Sequence, residues 1–323
     1  MDKINLIIEP VRREIEEFNK LFDESLRGKQ NFQFLVDFIA EKQGKKIRPL
    51  ILILSAKLCG EPTFKTLEYA VILELLHTAT LIHDDVVDST LERRGNPSVN
   101  AKFDNKAAVL LGDYILSQAI IKGVNTENIR FLKLMSNLSN ELVEGELIQM
   151  VSSSDTIVDE NRYFEIIRKK TAVLLSSCTE MGAVSVNASE EKVDNLRLIG
   201  ENLGLCFQIR DDLFDYYEQG EIGKPTGNDI REGKITLPLI YALNTSSQEA
   251  KSEMIKIIEN KDFTPNNIAK LIAFAKENNG IEYAQNKMNE LKQEILTSLD
   301  LFDNSEAKKA MFELVNYIIE REK

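Results

Sequence analysis

The chain has 323 residues, 52 acidic against 40 basic side chains, and a formal charge of −12. That balance, with a pI of about 5.0, excludes a general nucleic-acid binder, which needs a basic face. A hydrophobic content of 43% in a chain this long supports a large buried core.

Helical periodicity dominates, with neither alternating β-branched runs nor two-residue hairpin turns between such runs. Residues 3–26 predict an amphipathic helix, and its charged start lacks the apolar core and cleavage site of a secretory signal. A second helix covers Phe32–Glu41. The basic turn Gln43–Pro49 follows, with Pro49 suited to the first position of a helix over 49–59. Glu61-Pro62-Thr63 separates that helix from one running into Asp84, Asp85 and Asp88. Gly95–Ser98 breaks the chain, and Ser98 predicts the cap of a helix through Ile121. Helices follow near 127–151 and 160–187, then near 190–217, where the last carries Asp211, Asp212 and Asp215. Gly220, Gly223, Pro225, Gly227 and Gly233 prevent regular helix across 219–234. Thr264-Pro265 opens a later helix that Gly280 ends. No run reaches the roughly 18 uninterrupted apolar residues of a membrane span; Glu74 interrupts the best candidate and Asp113 the next. Cys59, Cys178 and Cys206 show no paired or zinc-like spacing and read as reduced, buried residues of a cytoplasmic protein. Without repeats or long linkers, residues 1–323 predict one all-α domain of about ten to thirteen helices.

The chemistry concentrates in two DDxxD clusters, each near the end of an apolar helix. A helix puts Asp84 one turn from Asp88, and Asp211 one turn from Asp215, on a common face. Such an all-oxygen set suits Mg2+, which keeps several waters and completes its shell with phosphate oxygens. If the two helices face each other, six crowded carboxylates require cations between them. Basic residues flank both clusters: Lys45 and Arg48 around the turn before Pro49, Arg93 and Arg94, Lys170 beside Thr171, and Lys224 and Lys234. Arginine matches phosphate oxygens in pairs and lysine acts as a compact charge, so together they could hold two phosphate-bearing substrates. His77 lies two turns before Asp84 on its face, whereas His83 reads as a core histidine. No Ser/His/Asp triad stands out, and GKPTGND at 223–229 lacks the ending of a nucleotide-binding loop.

The strings GKKIRP, HTATLIHDDVVD followed by RRG, KKT, FQIRDDLFDYY and GKPTGNDIREGKITLPL occur in one order across residues 35–245. In this they resemble the trans-isoprenyl diphosphate synthases. The resemblance implies an isoprenoid-synthase-type helical bundle around a deep central cavity, usually as a homodimer. It implies condensation of isopentenyl diphosphate, head to tail, with an allylic diphosphate that ionises. Mg2+, three ions per active site, would stabilise charge on the departing diphosphate. By position, Asp84, Asp88 and Asp211 are direct metal ligands, and Asp85, Asp212 and Asp215 ligate directly or through water. Lys45, Arg48, His77 and Arg94 are assigned to isopentenyl diphosphate. Arg93, Lys170, Thr171, Gln208, Lys224 and Lys234 are assigned to the allylic diphosphate, with Lys170 also counted among the catalytic residues. Two departures stand out: Gln43 replaces a common glycine, and the end IIEREK lacks a dense basic tail.

Product length follows from the apolar helix before Asp84. Family members with short products carry bulky aromatics four or five residues before the first aspartate, where this chain has Thr80 and Ala79. Helix geometry puts Thr80 on the Asp84 face and turns Ala79 away, so the cavity role of Ala79 rests on the resemblance alone. Leu76, Leu73 and Ile72 suit the wall of a longer tunnel. The string resembles octaprenyl-type synthases that make quinone side chains. The alternatives are a farnesyl or geranylgeranyl synthase with a floor near Met135 or Leu138, and a non-catalytic partner subunit. A transient membrane contact for product release is compatible with the sequence.

Overall fold

The computed structural model describes residues 3–27, 31–40, 46–93, 95–152, 159–217 and 227–320. The fold is all-α. The helices are α1 (Lys3–Ile8), α2 (Arg12–Leu26), α3 (Gln33–Ala40), α4 (Ile47–Cys59), α5 (Phe64–Val87), α6 (Val99–Lys102), α7 (Asn105–Asn125), α8 (Ile129–Ser152) and α9 (Glu160–Ile167). They continue as α10 (Val173–Ser185), α11 (Glu190–Phe214), α12 (Asn228–Arg231), α13 (Leu237–Thr245), α14 (Gln248–Glu259), α15 (Pro265–Glu277), α16 (Gly280–Leu299) and α17 (Glu306–Ile319). A 3-10 turn, Glu9–Val11, joins α1 to α2, and a π-helical segment, Arg168–Ala172, joins α9 to α10.

Several expected helices are divided, so the described residues hold more of them than the ten to thirteen expected. Pro10, which has no N–H to donate, sits in the 3-10 turn that interrupts the helix expected over 3–26. Ser98 caps only the short α6, accepting from the Ala101 N–H, and Asp104 then caps α7 by accepting from Ala107 at 2.6 Å. Gly280 opens α16 instead of ending α15: a Cβ there would lie 2.1 Å from the Pro238 carbonyl oxygen, so only glycine permits that approach. An antiparallel hairpin, β1 (Glu92–Arg93) with β2 (Asn96–Pro97), occurs where no strand was expected.

The residues group into two compact units. One comprises residues 1–137, 177–196 and 302–311. Its centre is α5, which packs against α2, α4 and α7. In α4 every residue from Pro49 to Ala56 is buried, as expected for a helix apolar on all sides. Tyr69 of α5 stacks on Phe131, with ring centroids 3.8 Å apart. The α5–α7 contact is closest at Gly112, where a Cβ would stand 2.3 Å from the His83 Nε2. That ring lies 3.3 Å from both the Val109 carbonyl and an Asp113 carboxylate oxygen. By length and composition α7 is long and apolar enough to cross a membrane, and a third of that stretch is buried. Its Ala108, Leu111, Gly112, Ile115 and Ala119 form a buried face, and Asp113 interrupts the apolar run.

The other unit comprises residues 138–176, 197–301 and 312–323. Here α13 packs against α9, α15 and α16. Tyr216, Leu239, Leu243, Ile258, Leu271 and Phe274 belong to one buried cluster. Tyr216 and Thr236 share a hydroxyl–hydroxyl hydrogen bond of 2.8 Å, which satisfies a phenol buried in that cluster.

The Gly112 contact gives a direct test. Gly112→Ala should leave stability in urea unfolding within about 1 kcal/mol, because the helix propensity gained by alanine offsets the displacement of the half-exposed His83 ring; a loss of about 3 kcal/mol would show that the ring cannot move aside.

Candidate active site

The first aspartate motif is built by the way α5 ends. Asp88 is the residue just past the helix, and its N–H bonds the Asp84 carbonyl at 2.8 Å. Ser89 takes a left-handed φ of 52°, its N–H reaches the Val86 carbonyl, and the Thr90 N–H reaches that of Asp85 at 2.9 Å. This pair of bonds closes the helix in a Schellman turn, with serine where glycine is usual. Asn100 donates to the carbonyls of Asp85 (3.2 Å) and Thr90 (3.1 Å), tying α6 to the same turn.

The three aspartates consequently differ. Asp84 is half-buried and Asp88 exposed, whereas Asp85 is 4% exposed. The hairpin returns Arg93 to Asp85, whose Oδ1 accepts from Nε at 2.8 Å and Nη2 at 2.7 Å. Arg48 is half-buried in the first turn of α4, and His77 is buried in α5. Lys46, which the sequence reading passed over, adopts φ 49° before α4, donates to Asn19 Oδ1 at 2.7 Å and lies over the Phe18 and Phe22 rings. Leu76 and Ala79 are buried, and half-buried Thr80 donates to the His77 carbonyl at 2.9 Å. Lys45, Arg94 and Lys224 lie outside the described residues.

In the other unit, α11 carries Gln208, Asp211 and Asp212, with Asp215 in the turn just beyond it. Asp212 is 4% exposed and accepts from the Tyr163 hydroxyl at 2.6 Å and from Gln208 Nε2 at 2.8 Å. Gln208 Oε1 accepts from the Thr171 hydroxyl at 2.8 Å. Asp211 and Asp215 are half-buried. Asp215 Oδ2 accepts from the Asp229 N–H at 2.7 Å, and its carbonyl accepts from Gly227, so the chain after the motif folds back onto it.

Lys170 and Thr171 belong to the π-helical segment, an element that is frequent at functional sites. A Cβ on Gly204 of α11 would lie 2.4 Å from Ala172 Cα, so the missing side chain lets α11 reach this segment. Lys170 pairs with Glu146 at 2.8 Å and Lys234 with Glu232 at 2.7 Å. Lys170, Thr171, Gln208, Asp212, Asp229 and Lys234 all line one cavity of about 620 Å3. Tyr163 and Asp229 also line it and were missed from sequence. For Asp229 a signal existed, an acid set among the glycines and lysines of GKPTGNDIREGK.

Charge is strained in this cavity. Burial, then repulsion from Asp229, pushes the Asp212 carboxyl up to about 7, against the opposing hydrogen bonds from Tyr163 and Gln208. Burial and the neighbouring Asp215 push Asp229 up to about 6, although Lys234 opposes this. Among the described residues, no three His, Cys, Asp or Glu side chains are grouped to hold a metal by themselves. Oxygen-only donors, and carboxyls held back from ionising by burial and then by their neighbours, fit a hard divalent cation that takes its remaining ligands from a substrate. Asp84 and Asp88, or Asp211 and Asp215, are the residues that would hold it.

A carboxyl raised in the folded state binds a proton that the unfolded chain has already released. Its contribution therefore lowers stability as pH rises from about 4 to about 7. A cation beside it favours the ionised form and offsets this loss. Mg2+ should accordingly raise the melting temperature more at pH 8 than at pH 6, as read by differential scanning fluorimetry; equal shifts would dissociate these carboxyls from cation binding.

Residues 29–275 match the family model described as polyprenyl synthetase. An octaprenyl diphosphate synthase of Haemophilus influenzae is 33% identical over 285 residues, covering 88% of this chain and 86% of that protein. The crystal structure of a geranylgeranyl pyrophosphate synthase from Bacteroides thetaiotaomicron superposes with a TM-score of 0.86 at 40% identity, covering 99% of this chain and all of that one. A polyprenyl synthase from Caulobacter crescentus, complexed with calcium and isoprenyl diphosphate, gives 0.89 at 28% identity, covering 99% of this chain and 98% of that one. With the family model spanning most of its length, this chain belongs to the polyprenyl synthetase family.

Proposed function

We propose that the chain is a trans-prenyltransferase that joins isopentenyl diphosphate head to tail to an allylic diphosphate, making a long-chain all-trans polyprenyl diphosphate. The observation that carries this reading is the cavity where Lys170, Thr171, Gln208 and Lys234 meet Asp212 and Asp229. It offers cationic and neutral groups to a diphosphate beside carboxylates that gain from a cation. Lys170 and Lys234 would exchange Glu146 and Glu232 for phosphate oxygens as the allylic diphosphate binds. Arg48 and His77 would serve isopentenyl diphosphate. Asp84, Asp88 and Asp211 would hold Mg2+, three ions in all, and Asp85, Asp212 and Asp215 would ligate directly or through water. Bound Mg2+ supplies a Lewis acid for the charge on the departing diphosphate. Free thiols at Cys59, Cys178 and Cys206 favour a reducing, cytoplasmic setting.

Small Ala79 and Thr80 favour the long product, with quinone side chains as its use. The 40% identical geranylgeranyl pyrophosphate synthase structure favours a shorter one. Incubation with isopentenyl and farnesyl diphosphates and Mg2+, followed by chromatographic sizing, decides between them. Products beyond C20 are expected, and Ala79→Phe should shorten them. Absence of elongation would remove the enzyme reading, and arrest at C15 or C20 the long-chain one.

A homodimer is the second part of the reading. Val109, Leu110, Ile120, Ile121 and Val124 project from one side of α7 with 41–58% exposure. At helical spacing they form two apolar patches on one side of the helix, with exposed Asp113 between them, that a second copy would cover. Sedimentation analysis at micromolar concentration should give twice the chain mass, and Leu110→Lys should lower it; a wild-type protein at single mass would exclude the dimer.

A further inference from the structure

Asp212 has both carboxylate oxygens engaged, and the two donors come from different helices. Gln208 stands one turn earlier on the same helix, while Tyr163 belongs to α9 and is 6% exposed. The Asp212 oxygen decides how the Gln208 amide sits, because turning the amide over would set Oε1 against a carboxylate oxygen. With Nε2 held by Asp212, Oε1 faces Thr171 and takes the single hydroxyl proton of that side chain. Three hydrogen bonds of 2.6, 2.8 and 2.8 Å thus run Tyr163–Asp212–Gln208–Thr171 and end at the cavity wall.

Only the first member lies outside every sequence motif. Without the phenol, Asp212 Oδ2 would be a buried acceptor lacking this donor, and the carboxylate could rotate toward other partners. Its hold on Gln208, and through it on Thr171, would loosen. The π-helical segment strengthens the dependence, since Thr171 sits in an irregular stretch whose side chains are fixed by contacts such as this one.

We propose that Tyr163 is a positioning residue for the allylic-diphosphate half of the reaction, acting through Asp212 and Gln208 on Thr171. The proposal rests on the prenyltransferase reading. Tyr163→Phe keeps the ring and removes only the hydroxyl. It should lower kcat/KM for the allylic diphosphate by about tenfold to a hundredfold, the range for one hydrogen bond to a charged group. The KM for isopentenyl diphosphate should stay within about twofold, a split that partial unfolding would not produce. In a Gln208→Leu background, adding Tyr163→Phe should cost less than about twofold more, because both act through one chain.

Wild-type elongation with an unaffected Tyr163→Phe variant would overturn the proposal and leave the activity standing. An equal loss in both backgrounds, or a matching rise in the KM of both substrates, would overturn it too. Absence of elongation by the wild type would remove the activity and the proposal together.

Discussion

An ionised carboxylate taken out of water must find hydrogen bonds or an opposite charge, or it takes up a proton. Each aspartate motif buries one such group, and in both it is the second aspartate. Asp85 finds the Arg93 guanidinium, returned to it by the hairpin. Asp212 finds a phenol and an amide and remains short of positive charge, so its carboxyl stays raised. The identical spacing therefore serves two local arrangements, one ionic and one hydrogen-bonded. In each, the buried aspartate turns its neighbours outward, leaving Asp84 and Asp88, and Asp211 and Asp215, less buried than itself.

Both motifs also sit where the backbone leaves regular helix. After Asp88 the chain closes through a left-handed Ser89, a conformation that most residues adopt at some cost. After Asp215 it folds back so that the Asp229 N–H meets the motif's last carboxylate. The π-helical segment adds a third irregularity, and Gly204 admits it against α11. Hydrogen bonds to Asn100, Asp215 and Gln208 hold these irregular turns in place.

Much of this was legible in the sequence because it depends on short-range spacing. The helical class follows from periodicity, and the two carboxylate pairs follow from a four-residue spacing, although Asp88 and Asp215 lie just past the ends of their helices. What was not legible depends on the chain returning to itself. Tyr163 is one aromatic among many until α9 meets α11, and Asp229 gains meaning only when α12 folds onto Asp215. Helix boundaries failed for a local reason at Pro10 and Asp104, which each act within one turn, and for a long-range one at Gly280. Gly280 reads as a stop, yet it opens α16, because its lack of a side chain serves contact with Pro238.

The division of labour along α5 bears on product length. Between Asp84 and Tyr69 the helix carries no Phe, Tyr or Trp, a stretch of about 22 Å at 1.5 Å per residue. Any side chain that stops a tail sooner must come from another element. Within the same unit, the thioether of Met135 of α8 fills the space beside Gly123 of α7, 3.2 Å from where a Cβ would stand. Methionine is the most adaptable apolar side chain and yields more readily than an aromatic ring. At the far end of the stretch, Tyr69 is backed by the stacked Phe131 and is fully buried. Because α5 itself brings no aromatic ring between Asp84 and the Tyr69–Phe131 pair, a floor for a short product has to be supplied by another part of the chain.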